Sequence, residues 1–277
     1  MIKEIIKILE NTKLKRPLVH AITNNITVND CANIIHAAYG APTMAQDERE
    51  VEEITSLCSS LVLNLGALKA QDAMLKASEK ASELNHPIVL DPVAAGASKL
   101  RSETGKTLLE NAKISVIRGN ASEIRALAKG STTTKGVEAN QIDSTTEKNL
   151  IKAVDMVCDY SLQTGSVIMM TGAIDLISNG EQTAVLRGGS EMMSRITGAG
   201  CMLTALTGAY CGANPDKCFE SAVTAAAVMN VSAELAEKRV RELTDGTASF
   251  RTRLIDFVSM ISSEDLTKNI KLEILKK

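Results

Sequence analysis

The chain has 277 residues, and 31 Lys+Arg against 33 Asp+Glu give it a formal charge of −2. That near balance argues against nucleic-acid binding, which draws on a basic surplus. With 44% hydrophobic and 23% charged residues the chain is globular rather than disordered, and 2% aromatics without Trp leave no stacking platform for bases or sugars.

Residues 2–14 put Ile2, Ile5, Ile6, Ile8 and Leu9 on one side of a helix, which Pro17 ends before an extended run begins at Leu18-Val19-His20. Apolar runs recur at 60–64, 87–91, 114–117 and 166–170. None alternates with polar residues, the pattern of strands covered on both faces. Helix-patterned segments at 69–84, 102–112, 121–129 and 147–164 lie between them. Strands alternating with helices predict βαβ units and a mainly parallel sheet. From Thr197 a Gly-rich turn opens a small-residue helix (Met202 to Tyr210), and a second helix spans 222–238. Their Ala and Gly content predicts close helix packing. The charged tail from Leu266 is expected to fray. No repeat or linker interrupts the chain, so residues 1–277 read as one α/β domain.

The six cysteines form no CxxC pair and show no metal-ligand spacing with His, so they read as reduced thiols. The first residues, MIKEIIKILENTKLKRP, have the charge pattern of a helix and not of a secretory leader, and no apolar run is long enough for a membrane span. A cytoplasmic location is expected.

Ligands of parallel sheets bind beyond the carboxyl ends of the strands. Here those ends carry Gly66-Ala67-Leu68, Asp91-Pro92-Val93-Ala94-Ala95-Gly96, Arg118-Gly119-Asn120-Ala121-Ser122-Glu123 and Thr171-Gly172-Ala173-Ile174-Asp175. Turn-forming needs account for some of this chemistry. Arg118 also suits a phosphate, however, and Asp91 with Glu123 suits a hydrated divalent cation. The most informative segment is Thr197-Gly198-Ala199-Gly200-Cys201. Glycines flanking a small residue let successive N–H groups turn toward an anion at a helix N-terminus. Such a site steadies a phosphoryl group in transfer, although tight helix packing would call for the same glycines. A cysteine in the first helical turn is expected to have a lowered pKa. Neither a P-loop nor a GxGxxG follows the first strand.

Seven segments together resemble the hydroxyethylthiazole kinase family: His20-Ala21-Ile22-Thr23-Asn24-Asn25, Ala41-Pro42-Thr43-Met44-Ala45, Asn64-Leu65-Gly66, Asp91 to Gly96, Ile117 to Ile124, Met170-Thr171-Gly172-Ala173 and Thr197 to Cys201. They occur in the family's order between residue 17 and about residue 240. The resemblance implies a ribokinase-like three-layer sandwich, a mainly parallel central sheet flanked by helices. It also implies ATP-dependent phosphorylation of the hydroxyl of 4-methyl-5-(2-hydroxyethyl)thiazole in thiamine salvage. By position it assigns ATP to Arg118 and Thr171 and the thiazole to Met44, Gly198 and Asn25; the chemistry of the glycine turn adds an anion hole at Ala199 and Gly200. Mg²⁺ falls to Asp91 and Glu123, through water, and the catalytic role to Cys201. A homotrimer with interface active sites is implied, residues near His36 bordering a neighbour's pocket. The sequence departs from the family pattern at Glu138-Ala139 and at Thr43.

Related kinases of other heterocyclic alcohols, and dehydratases of the same fold, resemble this chain but carry Asp where Cys201 stands. A non-catalytic nucleotide-binding protein would have no need to keep Asp91, Arg118, Glu123, Gly198, Gly200 and Cys201 together.

Overall fold

A computed structural model describes residues 1–129 and 145–276. In chain order the elements are α1 (Ile2–Lys15), β1 (Leu18–Ile22), α2 (Val28–Ala37), β2 (Ala41–Thr43), α3 (Val51–Leu57), β3 (Ser60–Asn64), α4 (Gln71–Glu83), β4 (Ile88–Asp91), α5 (Lys99–Asn111), β5 (Val116–Asn120) and α6 (Ala121–Lys129). There follow α7 (Leu150–Thr164), β6 (Val167–Thr171), β7 (Ile174–Ser178), β8 (Gln182–Arg187), α8 (Ala199–Ala213), α9 (Cys218–Glu242), α10 (Thr247–Met260), α11 (Ser263–Asn269) and β9 (Lys271–Lys276), with short 3₁₀ turns before α8 and α9.

The strands make one nine-stranded sheet in the order β2-β1-β3-β4-β5-β6-β7-β8-β9, parallel from β2 to β6 and antiparallel beyond. Successive residues of each strand feed opposite layers. Val62, Val89 and Val116 enter one core with residues of α1, α2, α8, α9 and α10. Leu61, Leu63, Ile88, Leu90 and Ile117 enter a second with residues of α3 to α7. This period of two is what a sheet sandwiched between helical layers requires, and it explains why the strands read as continuous apolar runs. The expected three-layer sandwich is therefore what the chain forms.

Helix α8 lies close on the sheet because it has little side-chain bulk there. A Cβ at Gly208 would collide with Val62, and Ser60 Oγ donates to the Gly208 carbonyl at 2.8 Å. Helix α9 packs beside it, as the run of small residues predicts.

The tail departs from expectation. Rather than fraying, α11 opens with a Ser262–Asp265 capping box, and β9 pairs with β8 along its length. Its Lys-Leu-Glu-Ile-Leu-Lys sequence makes it an edge strand: Leu272 and Ile274 pack inward while Glu273 pairs with Arg187 at 3.1 Å. Local charge masked that pairing in the sequence, since the partner strand lies almost ninety residues earlier.

Strand order reverses at β1, whose connections lead to β2 on one side and, after β2, to β3 on the other. Such a reversal opens a crevice at the carboxyl ends of the two strands, here those of β1 and β3. Among the described residues no helix is long and apolar enough to cross a membrane.

Candidate active site

The crevice is bounded on the helical side by the start of α8. Gly198 is its N-cap with φ +89°, a left-handed conformation that a Cβ would strain, and that Cβ would also sit 2.7 Å from Thr27 Cγ2. The first intrahelical bond runs from Met202 N–H to the Gly198 carbonyl. The N–H groups of Ala199, Gly200 and Cys201 precede it, which leaves them at the positive end of the helix dipole.

Arg118, on β5, lies against this turn. A Cβ at Gly200 would be 2.5 Å from its Nη1, so glycine at 200 makes room for the guanidinium. Arg118 Nη2 donates to Thr171 Oγ1 at 2.6 Å, and Nη1 is 3.9 Å from Asp91 Oδ2. The neighbouring ends of β4, β5 and β6 thus bring Asp91, Arg118 and Thr171 together.

Asp91 is fully buried. Its Oδ2 accepts from Thr204 Oγ1 at 2.8 Å and from Asn64 Nδ2 at 3.1 Å, while Oδ1 has no partner. Burial raises its pKa above the usual carboxylate range; Arg118 pulls it down and Glu123 adds to the rise. Glu123 is engaged at both oxygens: Oε1 accepts from Ala94 N at 2.9 Å and Oε2 from Asn120 N at 2.8 Å. It clamps the loop after β4 to the start of α6. Arg101 assists, since its Nη1 donates to the carbonyls of Leu65 and Val93.

Cys201, in the first turn of α8, is half-buried, and its sulfur accepts from Asn64 Nδ2 at 3.3 Å and Asn24 Nδ2 at 3.5 Å. The thiol departs from the expectation of a lowered pKa. Burial pushes it up, Asp91 adds to the rise, and hydrogen bonds from Thr27 and Asn64 together with Arg118 only partly offset it. The helix dipole acts here on a sulfur largely shielded from water, and desolvation wins.

Met44 follows β2 and packs against the edge of the first core. Its loop is tied down on both sides, by His20 Nε2 to the Ala45 carbonyl at 2.9 Å and by Gln46 Nε2 to the Thr23 carbonyl at 2.7 Å. Asn25 is exposed in the turn before α2; Asn24 beside it is the residue that reaches Cys201. His36 is exposed in the last turn of α2, and Glu138-Ala139 lie outside the described residues.

Sequence reasoning passed over Asn24, Asn64, Thr204 and Arg101 as individual residues. The available signal was place: Asn64 is the last residue of a strand, Thr204 one helical turn after Cys201.

The profile of the hydroxyethylthiazole kinase family matches residues 9–264. A hydroxyethylthiazole kinase of Clostridium acetobutylicum is 45% identical over 96% of this chain and 97% of its own length. The solved hydroxyethylthiazole kinase protein of Pyrococcus horikoshii OT3 superposes with a TM-score of 0.86 at 32% identity, covering 99% of this chain and all of that one. A ribokinase-like superfamily protein of Enterococcus faecalis shares the fold, with a TM-score of 0.59 at 13% identity over 90% of this chain and 88% of its own.

Proposed function

Because the chain belongs to the hydroxyethylthiazole kinase family, we propose a residue-by-residue account of the reaction that membership entails, ATP-dependent phosphorylation of hydroxyethylthiazole in thiamine salvage. The enzyme is a phosphotransferase. The alcohol oxygen bonds to the γ-phosphorus of ATP, the bond to the bridging oxygen breaks, and ADP leaves while the hydroxyl gives up its proton.

The observation that carries the assignment is the convergence of Arg118 and Cys201 on one helix start, the guanidinium lying against Gly200. Phosphoryl transfer rests on positioning and on charge stabilisation. Arg118 and Thr171 bind the phosphates of ATP, and the N–H groups of Ala199 and Gly200 receive the charge of the migrating group. Met44, Gly198 and Asn25 line the thiazole site. Cys201 takes the hydroxyl proton; with its pKa raised it is a strong acceptor in the small fraction that is thiolate.

The family implies Mg²⁺, and the residues fit it. Asp91 presents a buried carboxylate oxygen without a partner. Asp91, and Glu123 through water, would hold the ion. When bound, Mg²⁺ neutralises charge on the phosphates.

The whole chain is taken as one catalytic unit, acting in the cytoplasm as a homotrimer with active sites at its interfaces. Ile26, 81% exposed beside Asn24, supports a neighbour covering this edge, with residues near His36 at its border. Sedimentation at working concentration tests the trimer. A coupled ADP-release assay with the thiazole alcohol, the hydroxymethylpyrimidine alcohol and no acceptor tests the activity. Turnover with the pyrimidine alcohol in preference to the thiazole would overturn the assignment.

A further inference from the structure

Cys201 is held between two amides whose orientations are fixed by backbone groups. Asn64 ends β3 opposite Asp91 in the parallel register, so the two side chains leave the sheet together. Its Oδ1 accepts from Gly66 N–H at 2.9 Å. A backbone N–H only donates, which determines which end of the amide is oxygen. The NH₂ end therefore faces Asp91 Oδ2 at 3.1 Å and Cys201 Sγ at 3.3 Å, one hydrogen for each.

The same logic applies to Asn24. Its Oδ1 accepts from Ile26 N and Thr27 N, both at 3.1 Å, so its NH₂ must point at Cys201 Sγ and Asn64 Oδ1. Gly66 permits this closeness, since a Cβ there would lie 2.7 Å from Asn64 Oδ1 and 2.9 Å from Asn24 Cβ. The sulfur thus meets two N–H donors that have no freedom to turn away.

We infer that Asn64, supported by Asn24, is a positioning residue that holds the Cys201 sulfur as a hydrogen-bond acceptor and ties it rigidly to Asp91. The inference rests on the reading of Cys201 as proton acceptor. Two fixed amide donors, with Thr27 also bonded to the sulfur, keep it in the acceptor role and stop it from turning. They also favour the state that receives a proton over the state that already carries one. Asn64 joins the sulfur to the phosphate-side carboxylate through a single planar group, which fixes the separation between the proton acceptor and Asp91.

A double-mutant cycle on the full-length enzyme tests it, with Asn64→Ala, Cys201→Ala and the pair assayed for kcat and for both KM values. We expect Asn64→Ala to lower kcat roughly tenfold or more with the thiazole KM changed less than about threefold. In the Cys201→Ala background the same change should cost less than about twofold, because the group Asn64 acts through is gone. Equal losses with and without the sulfur would overturn the inference while leaving the role of Cys201 intact. If Cys201→Ala itself kept the parental kcat, the reading of Cys201 would fall, and this inference with it. Should Asn64→Ala not fold, Asn24→Ala, at the more exposed side of the sulfur, is run through the same cycle against the same outcomes.

Discussion

The guanidinium of Arg118 occupies the space into which a side chain at Gly200 would grow, with Nη1 2.5 Å from the position of that missing Cβ. The two residues are separated by 82 positions in sequence, yet each constrains the other. Arg118 can lie across the first turn of α8 only because residue 200 has no Cβ.

Gly200→Ala separates this role from stability. Ala is better than Gly inside a helix by about 1 kcal/mol, and the obstructing atom is the far end of a flexible side chain, so the fold should tolerate the change. The guanidinium, however, has to move. We expect an unfolding temperature within a few degrees of the parent and an ATP KM raised about tenfold, the scale of one displaced charge-assisted contact. An unchanged ATP KM would show that Arg118 does not serve the nucleotide from this position.

Gly198→Ala should behave differently. The left-handed backbone costs a non-glycine residue about 1–2 kcal/mol, and its Cβ would press on Thr27 Cγ2, the methyl of a stiff β-branched side chain. Stability should fall, by roughly 2–4 °C in Tm for each kcal/mol, together with kcat as the first-turn N–H groups lose their aim. Melting curves and kinetics on one preparation check both.

Arg118→Ala and Thr171→Ala bear on the nucleotide side. The pair is joined by a 2.6 Å bond. Both should raise the ATP KM, Arg118→Ala by an order of magnitude or more since a charge is lost, Thr171→Ala by about threefold to tenfold. A change confined to the thiazole KM would put the nucleotide elsewhere.

Much of the frame was legible beforehand. Continuous apolar runs at 60–64 and 87–91 gave strands covered on both faces, and the Gly-Ala-Gly-Cys segment gave the helix start that bounds the site. Less legible were contacts created by register. Asn64 and Asp91 face each other because β3 and β4 pair in parallel at that step, and nothing local in either segment specifies the partner. The antiparallel half of the sheet is hard to read for a related reason: β9 is rich in charge, and its partner β8 lies far back in the chain. The direction of the Cys201 pKa depended on burial, which a helix position alone does not determine.

Cys201→Ser keeps a hydroxyl acceptor within reach of both amides but replaces sulfur by a far weaker acid. Turnover should fall by roughly a hundredfold, the lower end of general-base contributions, while the thiazole KM stays within about threefold. Turnover at the parental rate would remove Cys201 from the mechanism.

His20 supplies a pH test of the loop that carries Met44. Its ring is buried, with Nε2 donating to the Ala45 carbonyl and Nδ1 accepting from Thr55 Oγ1, both at 2.9 Å. Burial holds its pKa below the usual histidine value, so the folded protein keeps the ring neutral where the unfolded chain would protonate it. As pH falls below about 6.5 the unfolded state takes up a proton that the folded state does not. Stability is therefore complete above that pH and declines below it, at no more than about 1.4 kcal/mol per pH unit for one proton. The decline ends once pH passes below the folded-state pKa. Asp91, whose pKa is raised, acts in the opposite direction over part of this range, so the informative quantity is a difference. Denaturant unfolding of the parent and of His20→Gln at pH 7.5 and at pH 5.5 should show the parent losing more stability on acidification than the variant. Parallel losses in the two proteins would mean that the folded and unfolded states take up the His20 proton alike, so that burial does not hold the ring neutral.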